Sequence, residues 1–136
     1  MKELTLSAAR ENIPAVIDFI NGELESLGCP VKTEAQIDIA IDELYSNIAN
    51  YGYDEKHGEV TVKFETEREK RAVTIAFVDS GRPFNPLSLA DPDVTLSARE
   101  RKSGGLGIFM VKKSMDDVRY EYRDGKNILT IRKTLP

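Results

Sequence analysis

Residues 39–52 read IAIDELYSNIANYG and predict the helix around which the rest of the chain is organised. The apolar residues of this helix recur at the i, i+4, i+7 spacing of a helix buried along one side: Ile37, Ile41, Leu44 and Ile48. At about 100° of rotation per residue, Glu43 and Asn47 fall together on the flank of that stripe. The helix therefore places a carboxylate and an amide one turn apart at the rim of a core.

Local signals mark the two ends of this helix. Thr33 and Gln36 match a capping box at its start, and Gly52 supplies its stop. For an acid and an amide taken alone, a solvated helix face is the ordinary interpretation. A chemical role for Glu43 and Asn47 therefore depends on the other motifs of the chain.

The composition is that of one globular domain. The chain has 136 residues, of which 40% are hydrophobic and 31% charged, which suits a single core and disfavours a disordered chain. The net charge of -4 disfavours electrostatic binding to nucleic acid phosphates or anionic lipid, so we expect neither nucleic acid nor membrane as a direct partner. Cys29 has no second cysteine to pair with, and one histidine, His57, cannot complete a Cys/His zinc set.

No apolar run approaches the length of a membrane span, and the first residues lack the hydrophobic segment of a secretion signal. We therefore predict a cytoplasmic protein.

The order of apolar patterns predicts strand, helix, helix, strand, strand, long connection, helix, strand, strand. Alternating residues over 60–64 and 72–79 indicate one hairpin, and those over 118–122 and 128–133 another. Hairpins imply a mostly antiparallel, mixed sheet, and three amphipathic helices imply a cover on one face of it. The predicted fold class is an α/β two-layer sandwich, formed by residues 1–136 as a single domain. The long connection predicts a functional lid at about 86–104.

Two glycine-containing motifs follow the strands and the lid. Asp79-Ser80-Gly81 leaves a strand, where a carboxylate can accept a hydrogen bond from an exocyclic amine such as that of adenine. Gly104, Gly105 and Gly107 open a helix, where backbone amides and the positive helix end suit phosphate, although a flexible hinge is an equally good interpretation. The chain has no P-loop sequence, and the glycines follow the lid instead of a first strand, which disfavours a dinucleotide-binding fold.

Together these motifs resemble a known family. Glu43-x-x-x-Asn47, Asp79-x-Gly81 and Gly105-x-Gly107 occur in the order of the N, G1 and G2 boxes of the Bergerat-type ATP-binding fold of gyrase-type ATPases and sensor histidine kinases. Within it, the small size and the strings DSGRPFNP (79–86) and GGLGIFMVKK (104–113) most resemble the anti-sigma factor serine/threonine kinases, from about Ser7 to the C-terminus. Pro83 replaces the second glycine of the common G1 box, which favours that branch over a gyrase-like ATPase.

The resemblance implies roles for individual residues. Asn47 matches the asparagine that binds Mg²⁺ and bridges it to the ATP phosphates, and Glu43 the acid that acts as general base on the attacking hydroxyl. Asn50 is expected on the phosphate side. Asp79 is expected to recognise the adenine amino group, with Gly81 shaping that wall.

Further expectations concern the lid and the last hairpin. The phosphates are expected to lie against Gly104, Gly105 and Gly107. Three lid cations can pair with phosphate charge or be simply solvated: Arg99, Arg101 and Lys102. Asn127 lies near a Gly-Thr pair that is common in the family beside adenine, and is a candidate for a water-bridged base contact.

The function implied by the resemblance is an ATP- and Mg²⁺-dependent protein serine/threonine kinase. It would phosphorylate an anti-anti-sigma (STAS-type) partner and sequester a sigma factor, thereby regulating transcription. The alternative is an ATP-dependent protein-binding switch without kinase activity. A detached sensor-kinase ATPase domain is disfavoured, because the only histidine, His57, falls in a predicted loop. Relatives often dimerise, so a homodimer is also an expectation.

Overall fold

The computed structural model describes residues 1–51, 58–88 and 106–136, and the structural statements below refer to that part of the chain. The regular elements are β1 (Lys2–Ser7), α1 (Ile13–Ser26), α2 (Val31–Tyr51), β2 (Glu59–Glu67), β3 (Ala72–Asp79), α3 (Leu106–Ser114), β4 (Asp117–Arg123) and β5 (Lys126–Thr134). Short 3₁₀ turns precede α1 and follow Asn85. No helix in the described ranges is long and apolar enough to cross a membrane.

The strands form one sheet in the order β1-β2-β3-β5-β4. All four pairings between described strands are antiparallel, where the sequence predicted a mostly antiparallel, mixed sheet. Inward residues of the central strands alternate with partly exposed ones, and the buried ones pack against the three helices. The predicted two-layer α/β sandwich is thus confirmed. In the register, Asp79 at the end of β3 lies opposite Asn127 near the start of β5.

Helix α2 lies across the middle of the core. Its predicted apolar stripe is buried: Ile37, Ile41, Leu44 and Ile48. Tyr45 is also fully buried, and its hydroxyl donates a hydrogen bond of 2.7 Å to the carbonyl oxygen of Ser7. Burial raises the pKa of Tyr45 to about 12. This bond ties the centre of α2 to the end of β1.

The start of helix α2 differs from the sequence-based expectation. Helix α2 begins at Val31 and not at Thr33, because the Glu34 amide donates to the Pro30 carbonyl and closes a turn upstream. Thr33 therefore lies buried inside the first turn, and the predicted capping box is wrong. At the start of α1, the side-chain amide of Asn12 at the N-cap position donates to Ser7 and forms no capping hydrogen bond.

Candidate functional site

One wall of the candidate site is the end of β3. Asp79 is 4% exposed, and its Oδ1 accepts the backbone N–H of Gly81 at 2.9 Å. A carboxylate that accepts the amide two residues further on closes an Asx turn, which explains why the strand ends here. The turn holds a carboxylate at the edge of the core.

The side-chain amide of Asn127 reinforces this wall from β5. Asn127 is 5% exposed, and its Nδ2 lies 3.1 Å from Asp79 Oδ1. The same nitrogen donates to two backbone carbonyl oxygens, of Arg82 at 3.0 Å and of Gly81 at 3.3 Å. One side chain therefore holds both the carboxylate and the segment that follows it.

The oxygen of the same amide is also engaged. Asn127 Oδ1 accepts the backbone N–H of Phe84 at 3.2 Å and the hydroxyl of Tyr120 on β4. Burial raises the pKa of Tyr120, the Phe84 amide acts in the opposite direction, and the nearby charge of Asp79 adds to the rise. The Tyr120 hydroxyl is therefore a protonated donor at neutral pH.

The opposite wall is the flank of α2. Asn47 is 9% exposed, and its Nδ2 donates to the backbone oxygen of Glu43 at 2.8 Å and approaches Glu43 Oε1 at 3.4 Å. Because the nitrogen is turned towards Glu43, the oxygen of the amide points the other way. No described residue donates a hydrogen bond to Asn47 Oδ1.

Gly107, in the first turn of α3, lies against Glu43. The Glu43 carboxylate occupies the space that a Cβ on Gly107 would need. The buried face of α3 fixes this approach, since its apolar residues join the core: Ile108, Val111 and, just past the helix end, Met115. A carboxylate is favoured there, because a helix start carries unpaired N–H groups and partial positive charge.

A pocket lies between the two walls. Asn47 and Leu44 line it from α2, and Asp79, Asn127 and Tyr120 from the sheet. Its cavity volume is about 20 Å³, which is room for a water molecule. Phe84 and Pro86 also line the pocket.

The pocket's protein oxygens suit one type of metal ion. The described residues contain no group of three His, Cys, Asp or Glu side chains that could hold a metal alone. Mg²⁺ usually binds through one or two protein oxygens and takes its other ligands from water and phosphates. The amide oxygen of Asn47, which points away from the Glu43 carboxylate, can supply one such ligand.

Seven of the predicted site residues are described, and six of them meet at this pocket or beside it: Glu43, Asn47, Asp79, Gly81, Gly107 and Asn127. Asn50 is exposed near the end of α2 and does not line the pocket. The remaining predictions lie outside the described residues: Gly104, Gly105, Arg99, Arg101, Lys102 and most of the lid.

Sequence patterns missed the part that Tyr120 and Phe84 play in the site. Tyr120 counted only as an alternating strand residue, yet β4 and β5 form a hairpin across the turn at Asp124-Gly125. That turn fixes the register in which Tyr120 comes close to Asn127.

Comparisons with known proteins agree with this geometry. The histidine kinase-like ATPase domain family matches residues 6–133. The chain is 24% identical over 131 residues to the serine-protein kinase RsbW of Bacillus mycoides, covering 93% of this chain and 81% of that protein. It is 26% identical over 115 residues to the serine-protein kinase RsbW of Listeria monocytogenes, covering 81% and 72%.

A solved structure shows the same fold. The RsbU and RsbW domains of Rv1364c from Mycobacterium tuberculosis superpose with a TM-score of 0.67 at 17% identity. The match covers 99% of this chain and 33% of that one, so this chain spans about a third of its length. The matches confirm the predicted resemblance to the anti-sigma factor kinases, and the chain belongs to the histidine kinase-like ATPase domain family.

Proposed function

We propose that this chain is an ATP- and Mg²⁺-dependent protein serine/threonine kinase that regulates a sigma factor. The observation that carries the proposal is the pairing of two walls across one pocket. A buried carboxylate, Asp79, lies on the sheet side, and the Glu43–Asn47 pair lies on the helix side next to Gly107. The first wall suits a base with an amino group, and the second suits a metal-bound phosphate chain.

The nucleotide would lie across the pocket from sheet to helix. Asp79 would accept a hydrogen bond from the adenine amino group, with Gly81 behind it. The phosphates would extend towards the start of α3, where Gly107 leaves room and the helix end is positive. In this arrangement Gly104, Gly105 and Asn50 are expected phosphate neighbours.

The residues of α2 would then serve the transfer step. The oxygen of a partner's serine or threonine attacks the γ-phosphorus, the bond from that phosphorus to the β–γ bridging oxygen breaks, and ADP leaves. Glu43 would accept the proton of the attacking hydroxyl. Bound Mg²⁺ neutralises phosphate charge in such reactions, and Asn47 would hold it.

The regulatory part of the proposal rests on the relatives. The similarity to serine-protein kinases RsbW over 93% of this chain supports protein substrates over small molecules. We infer an anti-anti-sigma (STAS-type) protein as the phosphorylated partner and a sigma factor as the sequestered one. Phosphorylation of the first would then determine which of the two is held. A cytoplasmic location and a homodimer remain predictions.

Phosphate transfer from labelled ATP tests the proposal. The purified chain, Mg²⁺ and a STAS-type protein encoded by a neighbouring gene should give label on a serine or threonine of the partner. Glu43→Gln should abolish transfer while ATP still binds. Asp42→Asn is the matched control, because Asp42 is the adjacent acid but is exposed. This variant should label the partner at the wild-type rate.

Two outcomes would count against the kinase. Equal rates of phosphate transfer by wild type and Glu43→Gln would show that Glu43 is not the general base. Nucleotide-dependent binding of the partner without any label would favour the alternative, a protein-binding switch that ATP controls without phosphate transfer.

A further inference from the structure

The hydrogen-bond network behind Asp79 is larger than a turn requires. The Asx turn needs only the bond from Gly81 to Asp79. Asn127 adds five hydrogen bonds, three through Nδ2 and two through Oδ1. Because both polar atoms of Asn127 are already hydrogen-bonded, Asn127 would affect a ligand indirectly, by positioning the groups to which it is bonded.

Asn127 controls two parts of the pocket wall. Asp79 Oδ1 receives two donors, from Gly81 and from Asn127, and two donors on one oxygen fix the plane of the carboxylate. Asn127 also holds the backbone of Phe84, whose side chain lines the pocket. The acceptor and the apolar part of the wall are therefore positioned by the same amide.

The hydrogen-bond partners of that amide fix its orientation, and Tyr120 is one of them. If the side-chain amide of Asn127 were turned over, so that Oδ1 and Nδ2 exchanged places, Oδ1 would face three other oxygens, those of Asp79, Gly81 and Arg82. Its nitrogen would then face the donors of Tyr120 and Phe84. Because the Phe84 N–H can only donate and the two carbonyl oxygens can only accept, only the observed orientation satisfies both sides of the amide. The Tyr120 hydroxyl then donates a second hydrogen bond to Oδ1 and holds the amide in this orientation.

We propose that Asn127 and Tyr120 are positioning residues that set the base specificity of this pocket. They hold the Asp79 carboxylate as a fixed acceptor for an exocyclic amine, and so select adenine over a purine with a 6-oxo group. The inference rests on the proposed nucleotide function. A 6-oxo group would oppose its oxygen to the carboxylate, leaving buried acceptors without donors. A carboxylate free to turn discriminates less.

Titration calorimetry with ATP and with inosine triphosphate, both with Mg²⁺, tests this inference. The ratio of the two affinities is the readout, because a general loss of structure weakens both nucleotides alike. In Tyr120→Phe the preference for ATP should fall by about threefold to tenfold, the range for one hydrogen bond. Asn127→Asp should lower it by more than about tenfold, since an acceptor then faces Asp79.

Tyr122→Phe is the matched control. Tyr122 lies two residues along β4, is 46% exposed and takes no part in the network of Asn127, so the preference should stay at the wild-type value. An unchanged preference in Tyr120→Phe and in any Asn127→Asp protein that folds would overturn the inference. If Asn127→Asp does not fold, the result for Tyr120→Phe decides alone. A wild-type protein that binds neither nucleotide would instead refute the proposed function.

Discussion

The carboxylate of Glu43 fills the space beside Gly107 that any other residue would use for its Cβ. This contact joins the middle of α2 to the first turn of α3, and a Cβ at position 107 would require the Glu43 side chain to move. The favourable charge of a carboxylate at a helix start adds to the contact. Glu43 is thus held where the proposed phosphate chain and an incoming hydroxyl would meet.

Gly107→Ala should displace Glu43 and reduce phosphate transfer more than it reduces stability. We expect a change of less than about 1 kcal/mol in the free energy of unfolding, because the atoms that must move are the far end of the flexible Glu43 side chain. Urea denaturation measures the stability, and label transfer from ATP measures the activity. Gly22→Ala is the matched control, because Gly22 lies within α1 with open space around it. That change should stabilise the protein by up to about 1 kcal/mol. Full activity in Gly107→Ala would show that the contact has no role in transfer.

The buried Tyr45 should make stability depend on alkaline pH. The folded pKa is about 12 against an ordinary value of 10.0, so the unfolded chain releases this proton first as the pH rises. Stability should therefore decline between pH 10.0 and about 12. Urea denaturation over this range should show the decline in wild type and a smaller one in Tyr45→Phe. At pH 7 the variant should lose about 1 kcal/mol with the bond to Ser7. Identical pH profiles would contradict the assigned environment of Tyr45.

Asp116 should stabilise the C-terminal end of β5 in its charged form. Thr134 donates its backbone N–H and its hydroxyl to Asp116 Oδ2, and these bonds hold the pKa of Asp116 below its ordinary value. The stabilisation is present above the ordinary pKa of the carboxyl and is lost as the pH falls through the lowered value. Asp116→Ala should therefore cost about 1 kcal/mol at pH 7 and less in acid.

Urea denaturation at both pH values measures this difference for Asp116. The neighbouring Asp117 pairs with Arg119 at the surface, and Asp117→Ala should change stability little. A pH-independent loss in Asp116→Ala would mean that the charge of Asp116 is not what stabilises this end.

The sequence predicted those parts of the fold that depend on local patterns. Strand β3 runs over Ala72–Asp79 as alternation predicted, and the stripe of α2 is buried, because periodicity directly records which side faces the core. The predicted start of α2 at Thr33 was wrong, because the hydrogen bond from the Glu34 amide to the Pro30 carbonyl forms a helical turn before that residue.

The candidate site was predictable from the sequence only in part. Glu43, Asn47 and Asp79 were found because motifs mark them. The network of Asn127, Tyr120 and the segment after Asp79 was missed, because it forms between residues 7 to 48 positions apart. Such contacts depend on the register between neighbouring strands. Local sequence patterns do not predict which side chains that register brings into contact.

Titration of ATP into wild type, Asp79→Asn and Asn47→Ala, each with Mg²⁺ and with a chelator, tests the central claim most directly. Asp79→Asn should weaken binding under both conditions, since the amine acceptor is altered. Asn47→Ala should weaken it mainly with Mg²⁺, since the lost oxygen serves the metal. ATP affinities equal to wild type in both variants would show that this pocket is not the nucleotide site.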